Sequence, residues 1–515
     1  MKKNISLHMP RKITKLSMLT LIAIISAAFI SGCGGDGSSK QEFKAGETDA
    51  ETKSGLDAPE KQADQNFRGN AEDNLPGNLD FGKRDIRIMH YEEDIWGYEI
   101  DVEEETGDIV KDAIYRRNRN VEERLNVNIK SMPYPGLYTN PLDFFAQVKK
   151  LAKADSDDID LVAGYAFLTA DLGTEGYYIN WHDVDYVDFS RAWWSSDLMD
   201  QMTVDGKLYC IAGDIGVTML TTMYMVFFNK QIAADYEIGS LYKTVLDGDW
   251  TIDKMNELCK GLYVDLNGNG EADKDDLYGC SITTGNMVDA FYSAFDFRII
   301  QIDKSGMPQL TMNTPKMADI VNKLYDFLYV GKGVFALEES QDADESMKSM
   351  FTENRALFLP QVLLMNDSLR AMDTDYGMIP YPKWDKQQET YHTSVVLSLS
   401  LFSIPITCQN PNMVGAVAEA LCAESYRRVT PAYFEIALKQ KYSRDDETSQ
   451  MLDIIRDGLT FDFGYMNSYS VAAYHFVLRN LMSAKSTDFA SVYEKSEKTY
   501  QNALDKLVES YKNNP

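Results

Sequence analysis

From Ile86 onward the apolar positions alternate between two periods. Ile86-Arg87-Ile88-Met89 predicts a strand, whereas 109–125 repeats its apolar residues every three or four positions and predicts an amphipathic helix. The same alternation continues with a strand over 127–132, a helix over 141–154 and a buried strand over 158–164 that opens into a loop at Gly164-Tyr165. Strand and helix in this order predict an α/β fold built on a largely parallel sheet with both faces covered. In such sheets ligands sit beyond the carboxyl ends of the strands, which makes Gly164-Tyr165 a candidate cleft edge.

Further along, Asp205-Gly206-Lys207 predicts a turn leading into a strand over 208–211, and 223–229 a second strand. A helical region starts at Gln231 and includes a helix beginning near Thr251, whose hydroxyl can cap the first turn. The segment 376–382 is extended and stiffened by Pro380 and Pro382, and from Pro411 to the end the pattern is mostly helical. The globular part is about 430 residues long, too much for one ordinary core, so two lobes are expected.

The stretch before Arg84 has a different grain. Residues 1–15 hold five basic and no acidic side chains, and the apolar run 16–30 follows. Fifteen residues at about 1.5 Å each fall short of a hydrocarbon core of about 30 Å, so 1–32 predicts a secretory signal and not a permanent span. Ile30-Ser31-Gly32-Cys33 resembles the lipobox of bacterial lipoproteins, which implies that Cys33 is lipidated and becomes the mature N-terminus; an ordinary secretory signal is the alternative. Residues 33–83 are rich in Gly, Ser, Asp, Glu and Gln and poor in large apolar side chains, the composition of a disordered tether. A lipid-anchored place on the extracytoplasmic face of the cell membrane follows as the expectation.

Charge narrows the partners. Lys and Arg total 51 against 79 Asp and Glu, a formal net charge of −28 that deepens to −33 once the five basic residues of 1–32 are removed. Such a surface repels phosphate backbones and argues against nucleic acid. Cys210, Cys259, Cys280, Cys408 and Cys422 show no CxxC spacing and read as buried small hydrophobes, with a Cys259–Cys280 bridge as a lesser alternative. No phosphate loop, HExxH or GxSxG is present, and the five histidines are scattered, so no familiar hydrolase signature appears and no catalytic residue is assigned.

The sharpest local motif spans 265–276. Asp265, Asn267, Asn269, Glu271 and Asp276 supply oxygens at loop positions one, three, five, seven and twelve, Asp273 stands at nine, and Gly270 at six makes the turn, the spacing of a calcium loop. A structural calcium ion is the expectation, and a solvated Asx-Gly turn is the alternative.

A family resemblance rests on a series of motifs in fixed order. Asp205-Gly206-Lys207-Leu208-Tyr209, Phe227-Phe228-Asn229-Lys230, Trp250-Thr251, Tyr278-Gly279, Asn354-Arg355-Ala356-Leu357-Phe358, Tyr376-Gly377-Met378-Ile379-Pro380-Tyr381-Pro382 and Ile404-Pro405 precede a long helical tail. Together they resemble the family 1 extracellular solute-binding proteins of ABC importers. The resemblance implies a two-lobed type II periplasmic-binding-protein fold with hinge crossings, no enzymatic activity, a carbohydrate ligand and delivery of it, as a monomer, to ABC permease subunits. It divides the chain into 84–229 and 351–410 mainly in the first lobe and hinge, 230–350 mainly in the second, and a helical region 411–515 mainly in the second.

A sugar ring packs its apolar face on aromatic side chains while its hydroxyls need carboxylates and amides. Trp193 and Trp194 form the most conspicuous pair; if they lie in a strand they cannot both face one core, which sends one toward a cleft. Tyr165, Tyr209, Asp214, Tyr224, Trp384 and Tyr465 are further ligand candidates near predicted strand ends and crossings, each with core or rim packing as the alternative. An extracellular carbohydrate-active enzyme and a sensory lipoprotein on the same fold are the rival functions.

Overall fold

A computed structural model describes residues 68–369, 372–434 and 446–514; the signal segment and Cys33 lie outside them. In chain order the first half runs β1 (Arg84–Tyr91), α1 (Asp94–Tyr98), α2 (Ile109–Leu125), β2 (Val127–Tyr134), α3 (Pro141–Lys153), β3 (Leu161–Tyr165) and, after a passage that holds the short helices Ala166–Thr174, Ser196–Met202 and Thr218–Thr221, β4 (Tyr224–Asn229). Next come α4 (Ile252–Lys260), β5 (Tyr263–Val264), β6 (Leu277–Thr283), α5 (Asn286–Ala294), the hairpin β7 (Ile300–Ile302) with β8 (Pro308–Leu310), β9 (Val334–Leu337) and α6 (Gln341–Thr352). Then follow β10 (Ala356–Val362), β11 (Tyr376–Ile379), β12 (Ser400–Ser403), α7 (Pro411–Glu424), α8 (Asp446–Asp457), α9 (Phe476–Ser483) and α10 (Phe489–Asn513).

Local chemistry sets the best-read elements. Asp108 accepts the backbone N–H groups of Val110 and Lys111 at 3.0 Å and so starts α2, and Asn126, in the left-handed region at φ 50°, ends it. Between them Val110, Ala113, Ile114, Val121 and Leu125 face inward at helical spacing. Pro141 opens α3, where its missing N–H costs nothing. Thr251 caps α4 through Lys254 N at 3.2 Å, as expected.

Two sheets result. The first has the order β12-β3-β1-β2, with β1 parallel to β2 and β3 and with β12 antiparallel to β3. The second has the order β11-β4-β10-β6-β5, with β10 and β9 parallel to β6. The lobe boundaries therefore differ from expectation. β4 belongs to the second sheet, because the chain has already crossed when it begins, and β10 and β11 flank it there. Only β12 of the segment 351–410 returns to the first sheet. The helical tail is shared: α7 packs on α2 of the first lobe, whereas α8 packs on β11 and α9 on α5 of the second. The passage after Gly206 also differs, since it makes an isolated bridge from Ile211 to Phe402 instead of a strand.

Two of the crossings run side by side. Met223 bridges Val395 antiparallel, Tyr224 N donates to Ser394 O at 3.0 Å and Val396 N to Thr222 O at 3.1 Å. Beside them, within the first lobe, lies a fully buried polar cluster. Arg117 of α2 donates to the carbonyls of Glu99 (2.8 Å), Ile100 (3.1 Å) and Ile215 (3.1 Å), to Asn118 Oδ1 (2.9 Å) and to Ser425 Oγ (3.3 Å). The Glu99 carboxyl accepts from Thr218 N at 2.9 Å and from the Ser400 hydroxyl.

Burial pushes the Glu99 carboxyl up to about 7, against the hydrogen bonds from Ser400 and Thr218. Between its ordinary value of 4.5 and 7 the folded chain holds a proton that the unfolded chain has released. Its contribution to stability therefore falls as pH rises through that window. Glu99→Gln is expected to remove that part of the slope, so that its stability relative to the wild type, measured by urea unfolding from pH 5 to pH 8, improves by about 2–3 kcal/mol with rising pH. A constant difference across that range would refute the assignment.

Candidate functional site

A cavity of about 900 Å³ opens between the two sheets, within the size range of small-molecule sites. The first lobe contributes the carboxyl ends of β1 and β2 together with α1; the second contributes the residues that follow β6 and β10 and one face of α6. Val396, from the crossing pair, also lines it. This is the crevice that parallel strand ends create, found at β1 and β2 and not at the β3 end around Tyr165.

The first-lobe wall is aromatic. Trp96 is 1% exposed, and its indole N–H donates to Ser398 O at 2.7 Å, which fixes the ring edge-on to Tyr165 with centroids 6.0 Å apart. Tyr98 carries the Lys111 ammonium 4.9 Å over its ring, and the Tyr138 hydroxyl donates to Asp94. The turn that delivers them needs Gly97, because a Cβ there would collide with the Glu92 carbonyl oxygen. His90 sits below with Nδ1 2.7 Å from Tyr91 O and Nε2 2.7 Å from Ser131 Oγ. A carbonyl only accepts, so Nδ1 carries the proton and Nε2 accepts from serine. Burial lowers the pKa of this imidazole and favours that neutral form.

The second-lobe wall is polar. Asn286 and Asp344 are 6% and 9% exposed and line the cavity, and neither Asn286 Oδ1 nor Asp344 Oδ2 has a hydrogen-bond partner. Burial, reinforced by the charges of Glu339 and Glu345, pushes the Asp344 carboxyl up to about 7. Behind them Arg479 of α9 donates to Asp289 and, at 3.3 Å, to Glu339 Oε2, which also accepts the Asn286 N–H at 3.2 Å and so caps α5. Gly285 makes that cap attainable, since a Cβ there would overlap the Glu339 carboxylate.

None of the eight sequence-nominated ligand residues lies on this wall. Trp193 and Trp194 are 3% and 4% exposed and precede a short helix, Ser196–Met202, instead of sitting in a strand. Alternation therefore does not separate them, and both indole N–H groups donate to one carboxylate, Glu419, at 3.2 and 2.8 Å. Tyr165 lies one ring behind Trp96, between Tyr91 and Phe167. Tyr209 stacks on Tyr511, and Asp214 accepts from Thr430 Oγ1 at 2.7 Å. Tyr224 packs edge-on to Tyr381, Trp384 on Phe295 under the Lys323 ammonium, and Tyr465 edge-on to His475. The residues that do form the wall were marked by a signal at hand, an aromatic and acidic run, Glu92 to Tyr98, directly after the first parallel strand.

The loop 265–276 lies between β5 and β6, away from the cavity. Its side chains satisfy one another: Asp265 accepts Gly268 N and Gly270 N at 2.7 and 2.9 Å, and Asp276, fully buried, accepts Leu266 N and the Tyr263 hydroxyl at 3.1 Å. Asn267 and Asn269 donate to Asp273, and Asn269 Oδ1 accepts Glu271 N at 2.7 Å. Among the described residues no group of three or more His, Cys, Asp or Glu converges as metal ligands. Cys210, Cys259, Cys280, Cys408 and Cys422 are buried free thiols. No described helix is long and apolar enough to cross a membrane.

No protein-family model and no curated protein matches the chain. Solved structures do resemble it. A cyclo/maltodextrin-binding protein complexed with maltotetraose aligns at a TM-score of 0.52 and 12% identity over 84% of this chain and 97% of its own. The galacto-N-biose/lacto-N-biose I-binding protein of the ABC transporter from Bifidobacterium longum, in complex with lacto-N-biose, aligns at 0.52 and 14% identity over 84% and 98%. A maltose-binding protein from Listeria monocytogenes in complex with maltose aligns at 0.51 and 11% identity over 83% and 97%. The chain has the two-lobed fold of these binding proteins.

Trp194→Ala is expected to destabilise the protein by about 3–5 kcal/mol, as for a large aromatic removed from a core, while leaving the affinity for a cavity ligand within about twofold. Chemical unfolding and calorimetric titration of the same preparation check the two halves, and a selective loss of affinity would return the tryptophan to the site.

Proposed function

We propose that this chain is an extracytoplasmic solute receptor that closes its lobes on a carbohydrate and delivers it to the permease of an ABC importer. The observation that carries the reading is the cavity itself, set between two separately built sheets beside a pair of antiparallel crossings. Closure about such a pair is a hinge motion, and a ligand favours the closed form only by touching both walls. The aromatic first-lobe wall offers faces for sugar rings, and the unpartnered Asn286 and Asp344 across from it offer partners for hydroxyls. The sugars in the three similar structures support the ligand class.

Lipidation at Cys33 belongs to the same proposal and rests on the lipobox pattern, with the residues before 68 as the tether; 68–83, expected in that tether, instead pack on the first lobe, where Asp73 pairs with Arg124 at 2.6 Å and Leu75 is buried. Calcium at 265–276 rests on loop spacing alone. Excess calcium is expected to raise the melting temperature over a chelated sample and to do nothing for Asp265→Ala; identical melts would leave the loop as a self-bonded turn.

The receptor reading is tested by thermal unfolding of the purified protein against mono- and oligosaccharides. A saccharide at 100 times its dissociation constant adds about 2.7 kcal/mol, a clear upward shift. The sugar is expected to be recovered intact, and Asn286→Ala to weaken it about tenfold with little change in the unliganded melt. Cleavage of the sugar would replace the receptor with an enzyme, and an unchanged melt with every sugar would end the carbohydrate assignment.

A further inference from the structure

The charge of the cavity goes further than its shape. Seven carboxylic side chains line it against two ammonium groups, Lys111 and Lys348. Both cations are engaged within the protein, Lys111 over the Tyr98 ring and Lys348 in a 3.0 Å pair with Glu345. Asp344, only 9% exposed, lines the same space and has one buried oxygen without a partner. The N-terminus of α5, which would otherwise attract an anion, is already taken by the Glu339 carboxylate at 3.2 Å. The described lining therefore carries an excess of carboxylates over free cations, beside the neutral donors of Tyr98, Asn286, Gln361 and Ser368. Those neutral groups can serve a sugar hydroxyl, whereas only a cation offsets the carboxylates, and an ammonium group donates three times and accepts nothing. A metal ion is a poor fit, because no set of described side chains converges on one point.

We propose that the ligand is a carbohydrate bearing a free amine, with its ring against Trp96, Tyr98 and Tyr138 of the first lobe and its ammonium directed to Asp344 and Asn286 of the second. This rests on the carbohydrate reading above. The amine links the two walls and so contributes directly to closure, and uronates or phosphorylated sugars are excluded by like charge.

The test is calorimetric titration of the purified protein with matched pairs, each neutral saccharide against its 2-amino-2-deoxy counterpart and the N-acetylated form of the latter. The amine is expected to bind about tenfold more tightly than both partners, the size of one partly screened charge pair. In Asp344→Asn that advantage is expected to shrink to within about threefold while the neutral sugar's affinity is unchanged. Glu345→Gln, on the more exposed face of α6, gives the same readout if the first variant fails to fold. Equal or tighter binding of the neutral or acetylated member overturns the amine proposal and leaves the carbohydrate receptor standing. So does an amine advantage that survives intact in every folded variant. Absence of binding by every sugar, amine or neutral, brings down both.

Discussion

A guanidinium taken wholly out of water is the constraint on which the first lobe turns. Burying a guanidinium is costly unless nearly every N–H finds an acceptor, and Arg117 meets that condition with five of them drawn from distant stretches of chain. Because the acceptors include Ile215 O, Ser425 Oγ and the carbonyls of Glu99 and Ile100, the segment entering the crossing, the end of α7 and the connection after α1 must all arrive at one place. The Glu99 side chain then ties that place to β12 through Ser400 and to the crossing approach through Thr218. A network of this kind specifies an arrangement more than it adds stability, since a single missing partner leaves a buried charge exposed to its full desolvation cost.

The hinge is thin by comparison. Between Thr222–Tyr224 and Ser394–Val396 two backbone hydrogen bonds run antiparallel, and Val396 is also part of the cavity wall. Rotation of one lobe about this ladder must also carry α10, which packs on the helix 166–174 of the first lobe and on β8 and α9 of the second. Rigid lobes and a narrow joint are what convert a small local contact into a change of the whole molecule.

The first third of the chain was legible because its periodicities are strong and its caps are explicit: Asp108, Asn126 and Pro141 mark their helices in the sequence itself. Sheet membership was less so. Nothing in 223–229 or 376–382 tells which lobe holds them, because a crossing of two or three residues leaves no compositional mark. The same pattern that hides Arg117 and Asn118 on the inner stripe of α2 makes them look like surface residues. In the site, the tryptophan pair drew attention by its chemistry alone, yet its two N–H groups serve Glu419. Asp344 was concealed for the opposite reason: Gln341-Asp342-Ala343-Asp344-Glu345 reads as a solvated helix start, and only the packing of α6 on β6 and β10 turns one of its carboxylates inward. The strand-end rule was sound, but its application needed the path of the chain beyond each strand, since β3 runs straight into the buried helix Ala166–Thr174 whereas β1 runs into the turn 92–98 that lines the cavity.

Arg479 reaches back 190 residues to Asp289 and 140 to Glu339. A chain that emerges from its amino end delivers both carboxylates, and every strand of both sheets, well before it delivers the cation that balances them. Until then Glu339 has no guanidinium to hold it over the start of α5, and the second wall of the cleft is a set of mutually repelling acids. The second wall of the cleft is therefore completed only when the last helices arrive, long after the strands that frame it are in place.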